Sequence, residues 1–328
     1  MNVARQFRTS IKRVIFGPSN IPHFCNLGLR DPQAEIRICL SGWGSPQDVT
    51  YRNVIAGTRP LMIGIGLGDR AHSVAVPKTP LSLKFSETGD CSRLLGEINL
   101  KFVDAIAIGR EWLCLFLAVH ASNYCLPKNL LWRRYLQFAY SQWRNPRTQS
   151  APEIRTPERE LHALFVFYIC PRPVVLVSVV AGDVGNIFPM DLVGPVGGQH
   201  FTLALHSTSR ALPLIESSRR VALSSVPVEQ TQVAYSLGKN HKRPFVDWSS
   251  VPFGLTASPA FALPVPKFSL RIREMEVERV RPLGSHTLLI SRVVEDHCWA
   301  EGLQFFQAHG FYQEWRQQAV PFDAAITH

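Results

Sequence analysis

Paired cysteines are missing from this chain. Its seven stand at Cys25, Cys39, Cys91, Cys114, Cys125, Cys170 and Cys298, no two as C-x-x-C, and the count is odd. That spacing argues against a disulfide framework and a structural zinc site, and makes buried reduced thiols the expectation. No metal ligands are assigned. Acidic residues are scarce: 25 Asp and Glu face 35 Lys and Arg, for a formal charge of +10. An excess of that sign points to anionic partners. The basic residues are dispersed, with no run of five or more, so nucleic acid is set aside in favour of a phosphorylated nucleotide.

Catalytic signatures are also absent. There is no H-E-x-x-H and no G-x-S-x-G, which removes the common zinc hydrolase and nucleophile-elbow chemistries. In Gly64-Ile65-Gly66-Leu67-Gly68-Asp69, Asp69 stands where a dinucleotide fingerprint needs its third Gly. Alternating glycines on one strand face fit better. Val193-Gly194-Pro195-Val196-Gly197-Gly198 matches neither phosphate-loop pattern and reads as a turn or bulge. A membrane span is missing too. Leu161 to Ala181 is long and apolar, but Arg172 sits at its centre between Pro171 and Pro173. A charge at mid-depth in a broken helix is a poor span, so the stretch reads as two elements joined at the prolines. Arg5 and Arg8 are not followed by an apolar segment, and a cytoplasmic location is the expectation.

What is present is material for two cores. The chain has 328 residues, 46% of them hydrophobic, with 24 Pro and 21 Gly scattered rather than periodic. Frequent punctuation favours short strands over long helices. Before residue 128, strands are expected at Ser10 to Phe16, Ala34 to Leu40, Pro60 to Leu67, Leu81 to Phe85, Gly96 to Phe102 and Glu111 to His120. Asn129 to Arg144 reads as a helix, with Trp132, Tyr135, Leu136, Ala139 and Trp143 as its apolar stripe. Asn145 to Arg159 is the linker candidate and Glu160 to Ile169 a second helix or an extended lead-in. Strands follow at Val174 to Val180, Phe201 to His206, Val221 to Ser225, Phe268 to Val280 and Thr287 to Val294. Between them Leu212 to Ser218 is a short helix with Ser209 as a candidate N-cap. Leu303 to Trp315 closes the chain as strand or helix. The division expected is 1–150, strand-rich and ending in a helix, and 151–328. Thr58-Arg59-Pro60-Leu61-Met62-Ile63 echoes Pro171-Arg172-Pro173-Val174-Val175-Leu176, as either duplication or chance would produce.

Residues from about 155 to 316 resemble the flavin reductase family. The resemblance is carried by Pro171-Arg172-Pro173-Val174 leading into Val177-Ser178, by Gly185-Asn186 with Pro189, by Phe201 to Leu205, by Leu212 to Val221, and by Gly284-Ser285-His286-Thr287-Leu288-Leu289. It implies a mainly β protein whose C-terminal half is an FMN-binding split β-barrel. It implies an NAD(P)H:flavin oxidoreductase with FMN, or FAD, as flavin. The alternatives are a non-catalytic flavin-binding or interaction protein and an FMN enzyme acting on an organic substrate. A homodimer is implied as well.

The flavin is expected along Ser178, Asn186, Ile187, Phe188, Pro189, Met190 and Asp191, with Asp191 alternatively a turn residue. Its phosphate is expected at Ser207, Thr208, Ser209 and Arg210, where hydroxyls, amides and a guanidinium precede a helix. That place commonly reads Lys-Asp-Thr in the family and Ser209-Arg210-Ala211 here, so Arg210 is the candidate charge. The alternative is a capped surface helix with an exposed Arg. His241, Lys242 and Arg243 form a basic cluster that meets the nicotinamide nucleotide's phosphates or stays a solvated loop. His286 faces flavin or nicotinamide, or is a buried imidazole satisfied by a backbone carbonyl. For residues 1–150 the pattern leaves three roles: covering the flavin site, fixing a substrate, or assembly.

Overall fold

Alternation of apolar and polar residues drives most of the architecture. In β2 (Ile36–Ser41) the side chains of Ile36, Ile38 and Leu40 are buried while Arg37 is exposed, the period-two pattern of a strand with one wet face. A computed structural model describes residues 24–30, 35–68, 80–88, 93–144 and 158–313. The expected strand at Ser10 to Phe16 and most of the linker lie outside these residues.

The first half contributes β1 (Phe24–Leu29), β2, β3 (Gln47–Asp48), β4 (Asn53–Gly57), β5 (Met62–Leu67), β6 (Leu81–Glu87), β7 (Leu94–Ile108) and β8 (Glu111–Asn123). Two helices follow, α1 (Lys128–Arg144) and α2 (Glu158–Phe167). The second half holds β9 (Arg172–Pro173), β10 (Val175–Ala181), β11 (Val184–Met190), β12 (Val193–Gly197), β13 (His200–His206), α3 (Leu212–Ser218), β14 (Arg220–Ser225) and α4 (Thr231–Ser236). It ends with the small hairpin β15 (Leu255–Ala257) and β16 (Pro264–Pro266), then β17 (Arg271–Leu283), β18 (His286–Cys298) and β19 (Gln304–His309).

Two seven-stranded sheets result. Their orders are β3-β2-β6-β7-β8-β5-β4 and β11-β10-β14-β17-β18-β13-β12, with every pairing antiparallel. Counted along each half, the seven strands occupy the same places, so β2 corresponds to β10, β4 to β12, β5 to β13 and β8 to β18. Three of the irregularities correspond too, while the slip of β6 against β7 between Phe85 and Ser86 has no counterpart between β14 and β17. β4 against β5 slips between Ile55 and Gly57, and β12 against β13 between Pro195 and Gly197. The long hairpin β7–β8 slips at Asn99/Leu100 and Phe102/Asp104, and β17–β18 at Glu274/Met275 and Val277/Arg279. Bulges bend a strand and curl its sheet, so matched bulges give matched barrels. The Arg-Pro echo does not carry this likeness: it compares β5, fourth strand of its half, with β10, the first.

One large core fills the first barrel and receives Phe167, Tyr168, Ile169, Phe306, Phe311 and Tyr312 from later in the chain. Another, built on Val177, Phe188, Leu203, Ile215, Leu223 and Leu289, fills the second. A third joins the barrels, with Val54, Ala56 and Met62 meeting Val196, Ala204 and Leu288. A small sheet β1-β19-β9 ties the two ends of the chain together.

Two expectations change, on α1 and at Ser209. On α1, Trp132 and Leu136 are exposed and Leu131 and Arg134 are buried; Tyr135 turns the helix by stacking on Phe165 and His162. The segment Val193–Gly197 is a strand that carries the expected bulge. Ser209 does not cap α3: the N-cap is Ala211, without a side-chain bond. Cys298 is exposed, whereas Cys114, Cys125 and Cys170 are buried, and burial pushes the Cys114 and Cys125 thiols up to about 12. Among the described residues no helix is long and apolar enough to cross a membrane.

Candidate functional site

A belt of polar residues runs along the rim of the second barrel and onto the first. It starts at β11, an edge strand whose outer carbonyls need donors. The 3-10 segment Leu237–Lys242 supplies them: Asn240 Nδ2 donates to the Ile187 carbonyl at 2.7 Å and His241 Nε2 to the Pro189 carbonyl at 2.8 Å. Asn186 Nδ2 returns the contact, donating to the carbonyls of Asn240 and Arg243 at 3.2 and 2.8 Å. Burial lowers the His241 imidazole below its ordinary value. Its carbonyl in turn accepts from the Arg210 amide at 2.9 Å, joining this edge to the turn before α3.

That turn is tied down throughout. The Ser207 amide donates to the Ser285 carbonyl at 3.0 Å, the Thr208 amide to His206 Nδ1 at 3.3 Å, and the Ser209 amide to the His206 carbonyl at 2.8 Å. The expectation that these backbone donors cradle a phosphate is therefore corrected: the turn folds back on β13, the β17–β18 turn and the 3-10 segment, which use all four. What faces outward is the exposed side chains of Ser207, Thr208 and Arg210. Ser209 Oγ is buried with no partner among the described residues.

The belt ends where the barrels meet. The β17–β18 turn lays Gly284, at φ +60°, so close to the Arg59 carbonyl that a Cβ would overlap it. Ser285 donates through its amide to the Thr58 carbonyl at 3.3 Å and through its hydroxyl to the same oxygen. His286 Nδ1 accepts from the Thr58 amide at 3.3 Å and lies 3.0 Å from Ser285 Oγ. Acceptance at Nδ1 leaves the neutral ring's proton on Nε2. Burial, followed by the His206 ring at 5.3 Å and the Arg59 charge, pulls the His286 imidazole down to about 4. His286 is thus a buried, neutral imidazole, satisfied by a backbone amide rather than by a carbonyl.

Other expected residues support the belt from behind. Ile187, Phe188 and Met190 are core side chains, and Ser178 is fully buried with its hydroxyl unpartnered among the described residues. Asp191 is not a solvated turn residue: it is half-buried and accepts from the Tyr168 hydroxyl at 2.6 Å. Burial raises its carboxyl above the usual range and raises the Tyr168 phenol as well. Below it Arg172 Nη2 donates to Asn53 Oδ1 at 2.6 Å and the guanidinium lies 3.9 Å over Phe167. Lys242 and Arg243 are exposed. Sequence reasoning missed Thr58, Arg59 and His206 as neighbours of His286, and Tyr168 as the partner of Asp191. Nothing local signals a partner that lies in the other barrel.

Strand order, bulges and belt define a split β-barrel. Residues 167–312 match the family model of the flavin reductase like domain, so the resemblance on the quoted motifs holds across the whole belt of the second barrel. Among solved structures, an FMN-binding protein from Thermus thermophilus with bound p-hydroxybenzaldehyde is similar at 23% identity, covering 40% of this chain and 73% of that one, with a TM-score of 0.35. The NADH:FAD oxidoreductase SgcE6 of Streptomyces globisporus C-1027 is similar at 15% identity, covering 48% and 93%, with a TM-score of 0.41. BorF, the flavin reductase component of a bacterial two-component tryptophan halogenase, is similar at 14% identity, covering 51% and 98%, with a TM-score of 0.41. No curated protein matches the chain.

Proposed function

We propose that this chain is an FMN-binding oxidoreductase that takes hydride from NAD(P)H to flavin. The reading rests on one observation above others: the span matching the flavin reductase like domain contains the whole belt from Asn186 to His286 of the second barrel. When bound, the flavin supplies the hydride-accepting ring. The residues supply binding and orientation. Arg210, with its side chain exposed beside Ser207 and Thr208, offers a bidentate charge to the flavin phosphate. Ser178, Ile187, Phe188, Pro189 and Met190 form the wall behind the ring, and Asn186 and Asp191 hold that wall in place through the Asn240 and Tyr168 contacts. His286 offers its Nε2 proton as a donor. Lys242 and Arg243 offer positive charge to the nicotinamide nucleotide's phosphates, while His241 positions their loop against Pro189.

The occupied amides of the 207–210 turn favour flavin as a substrate that comes and goes over a tightly held group, since fewer donors are left for its phosphate. Titration of the protein with FMN, followed by quenching of flavin fluorescence, tests the reading. Arg210→Ala is expected to weaken FMN about tenfold, the loss of one exposed charge-assisted contact. Equal affinity in that variant refutes the phosphate role. Oxidation of NADH that requires added FMN supports reductase turnover, and no oxidation with FMN bound removes it.

A further inference from the structure

The contacts between the barrels have the symmetry of a two-chain interface. β4 lies against its own counterpart β12; β5 lies against β12 while β13 lies against β4. Such reciprocity, where i meets j and j meets i, marks an isologous interface between identical subunits. It extends to the hairpin turns. Gly109 in the β7–β8 turn has φ +59°, and its counterpart Gly284 has φ +60°. The residue that starts β18, His286, packs against Gly57 at the end of β4, and the residue that starts β8, Glu111, packs against Gly197 at the end of β12. The shared surface is apolar, as in an obligate pair.

The two ends of this seam differ in chemistry. One holds His286, His206 and Arg59, whose amide donates to Glu160 Oε2 at 3.2 Å, beside the Ser207–Arg210 turn. The other holds Glu111, whose Oε1 accepts from Arg52 at 3.0 Å and whose Oε2 is buried without a partner among the described residues against Gly197. The exposed Arg210 beside the first end attracts a phosphate-bearing ligand, whereas at the other end Arg52 is already paired with Glu111.

We infer that the first barrel is a built-in partner for the second, so that a single chain is the working unit, with one flavin site at the His286 end of the seam completed by Thr58 and Arg59. The assignment of flavin rests on the proposed function; the pairing rests on geometry alone. The face through which two chains would pair is already covered within one, which replaces the homodimer implied by the resemblance.

Light scattering on the full chain reads the pairing without any ligand. A mass of one chain, 36.8 kDa, is the expected result, and a stable mass of two chains overturns it. Equilibrium titration with FMN should saturate at one equivalent per chain; two equivalents overturn the single site. Arg59→Gln should weaken FMN about fivefold or more, and Arg59→Lys, which keeps the charge, should restore most of it. Full affinity in Arg59→Gln, or no recovery in Arg59→Lys while both keep the wild-type mass and melting temperature, overturns the role of the first barrel's cation. If the wild-type chain binds no FMN, the flavin reading and this site fall together, and the mass still decides the pairing.

Discussion

The first and second barrels share seven strand positions and three bulges, yet they present different side chains where each long hairpin turns. At the start of β8 stands Glu111; at the start of β18 stands His286. The first is a carboxylate held by Arg52, the second an imidazole kept neutral by burial. Scaffold and chemistry therefore rest on different residues. Glycines that permit a positive φ, such as Gly109 and Gly284, set the curl and the turn. A single residue two places further on decides what the seam can hold. The outer ends of the seam differ as well: Arg281 of the second barrel reaches across to Asp104 of the first, with both side chains partly exposed.

The comparison breaks most readily at the seam's closest approach. A Cβ on Gly66 would overlap the Val196 carbonyl, while one on Gly64 meets only the side chains of Leu113 and Val54 at 3.1 and 3.2 Å. Gly66→Ala should therefore cost ~3 kcal/mol or more in denaturant unfolding, and Gly64→Ala distinctly less. Equal costs would mean that the barrels do not meet as described.

Acid sharpens the contrast between the hairpin starts. His286 binds its proton less well in the folded chain, at about 4 against the ordinary 6.5. Between those values the unfolded chain holds more protons, so stability is complete above pH 6.5 and falls as the pH drops towards 4. The full loss is about 3 kcal/mol. Urea unfolding across that window should show a steeper fall for the wild type than for His286→Gln; parallel curves would place the slope elsewhere.

Arg172→Ala removes the tie to Asn53 and the contact over Phe167, and should cost roughly 2 kcal/mol in the melting transition. Tyr168→Phe leaves the half-buried Asp191 short of a donor and should cost about 1 kcal/mol. A larger loss for Tyr168→Phe than for Arg172→Ala would shift the weight from the Arg172–Asn53 tie to the Tyr168–Asp191 tie.

β2, with one wet face, falls where alternation puts it, and β10 and β13, buried along most of their length, fall where their apolar runs put them. β4 and β12 were not legible, because both lie in the seam and are covered on two sides; β4 is buried throughout and shows no alternation. The alternating glycines of β5 were read correctly as a strand face, but the sequence carries no sign that Gly66 admits the backbone of another barrel. The likeness of the two barrels hides for a related reason. Its signal is the spacing of bulges, which many residues satisfy, while the visible Arg-Pro echo joins strands with different places. In the belt, residue types were legible and hydrogen-bond partners were not. Ser207 to Arg210 read as open donors because nothing in the residue pattern announces that His206, Ser285 and the Leu237–Lys242 segment take up their amides.

The pairing of β1 with β19 has a consequence during synthesis. Leu27 and Leu29 belong to the first barrel's core, and so do Phe306, Ala308, Phe311 and Tyr312. A ribosome that has made every strand of the first barrel has not yet made the residues that close it. The opening strand must wait, unpaired, until almost the entire chain has emerged, which makes this a slow, high-contact-order step and a window for a chaperone.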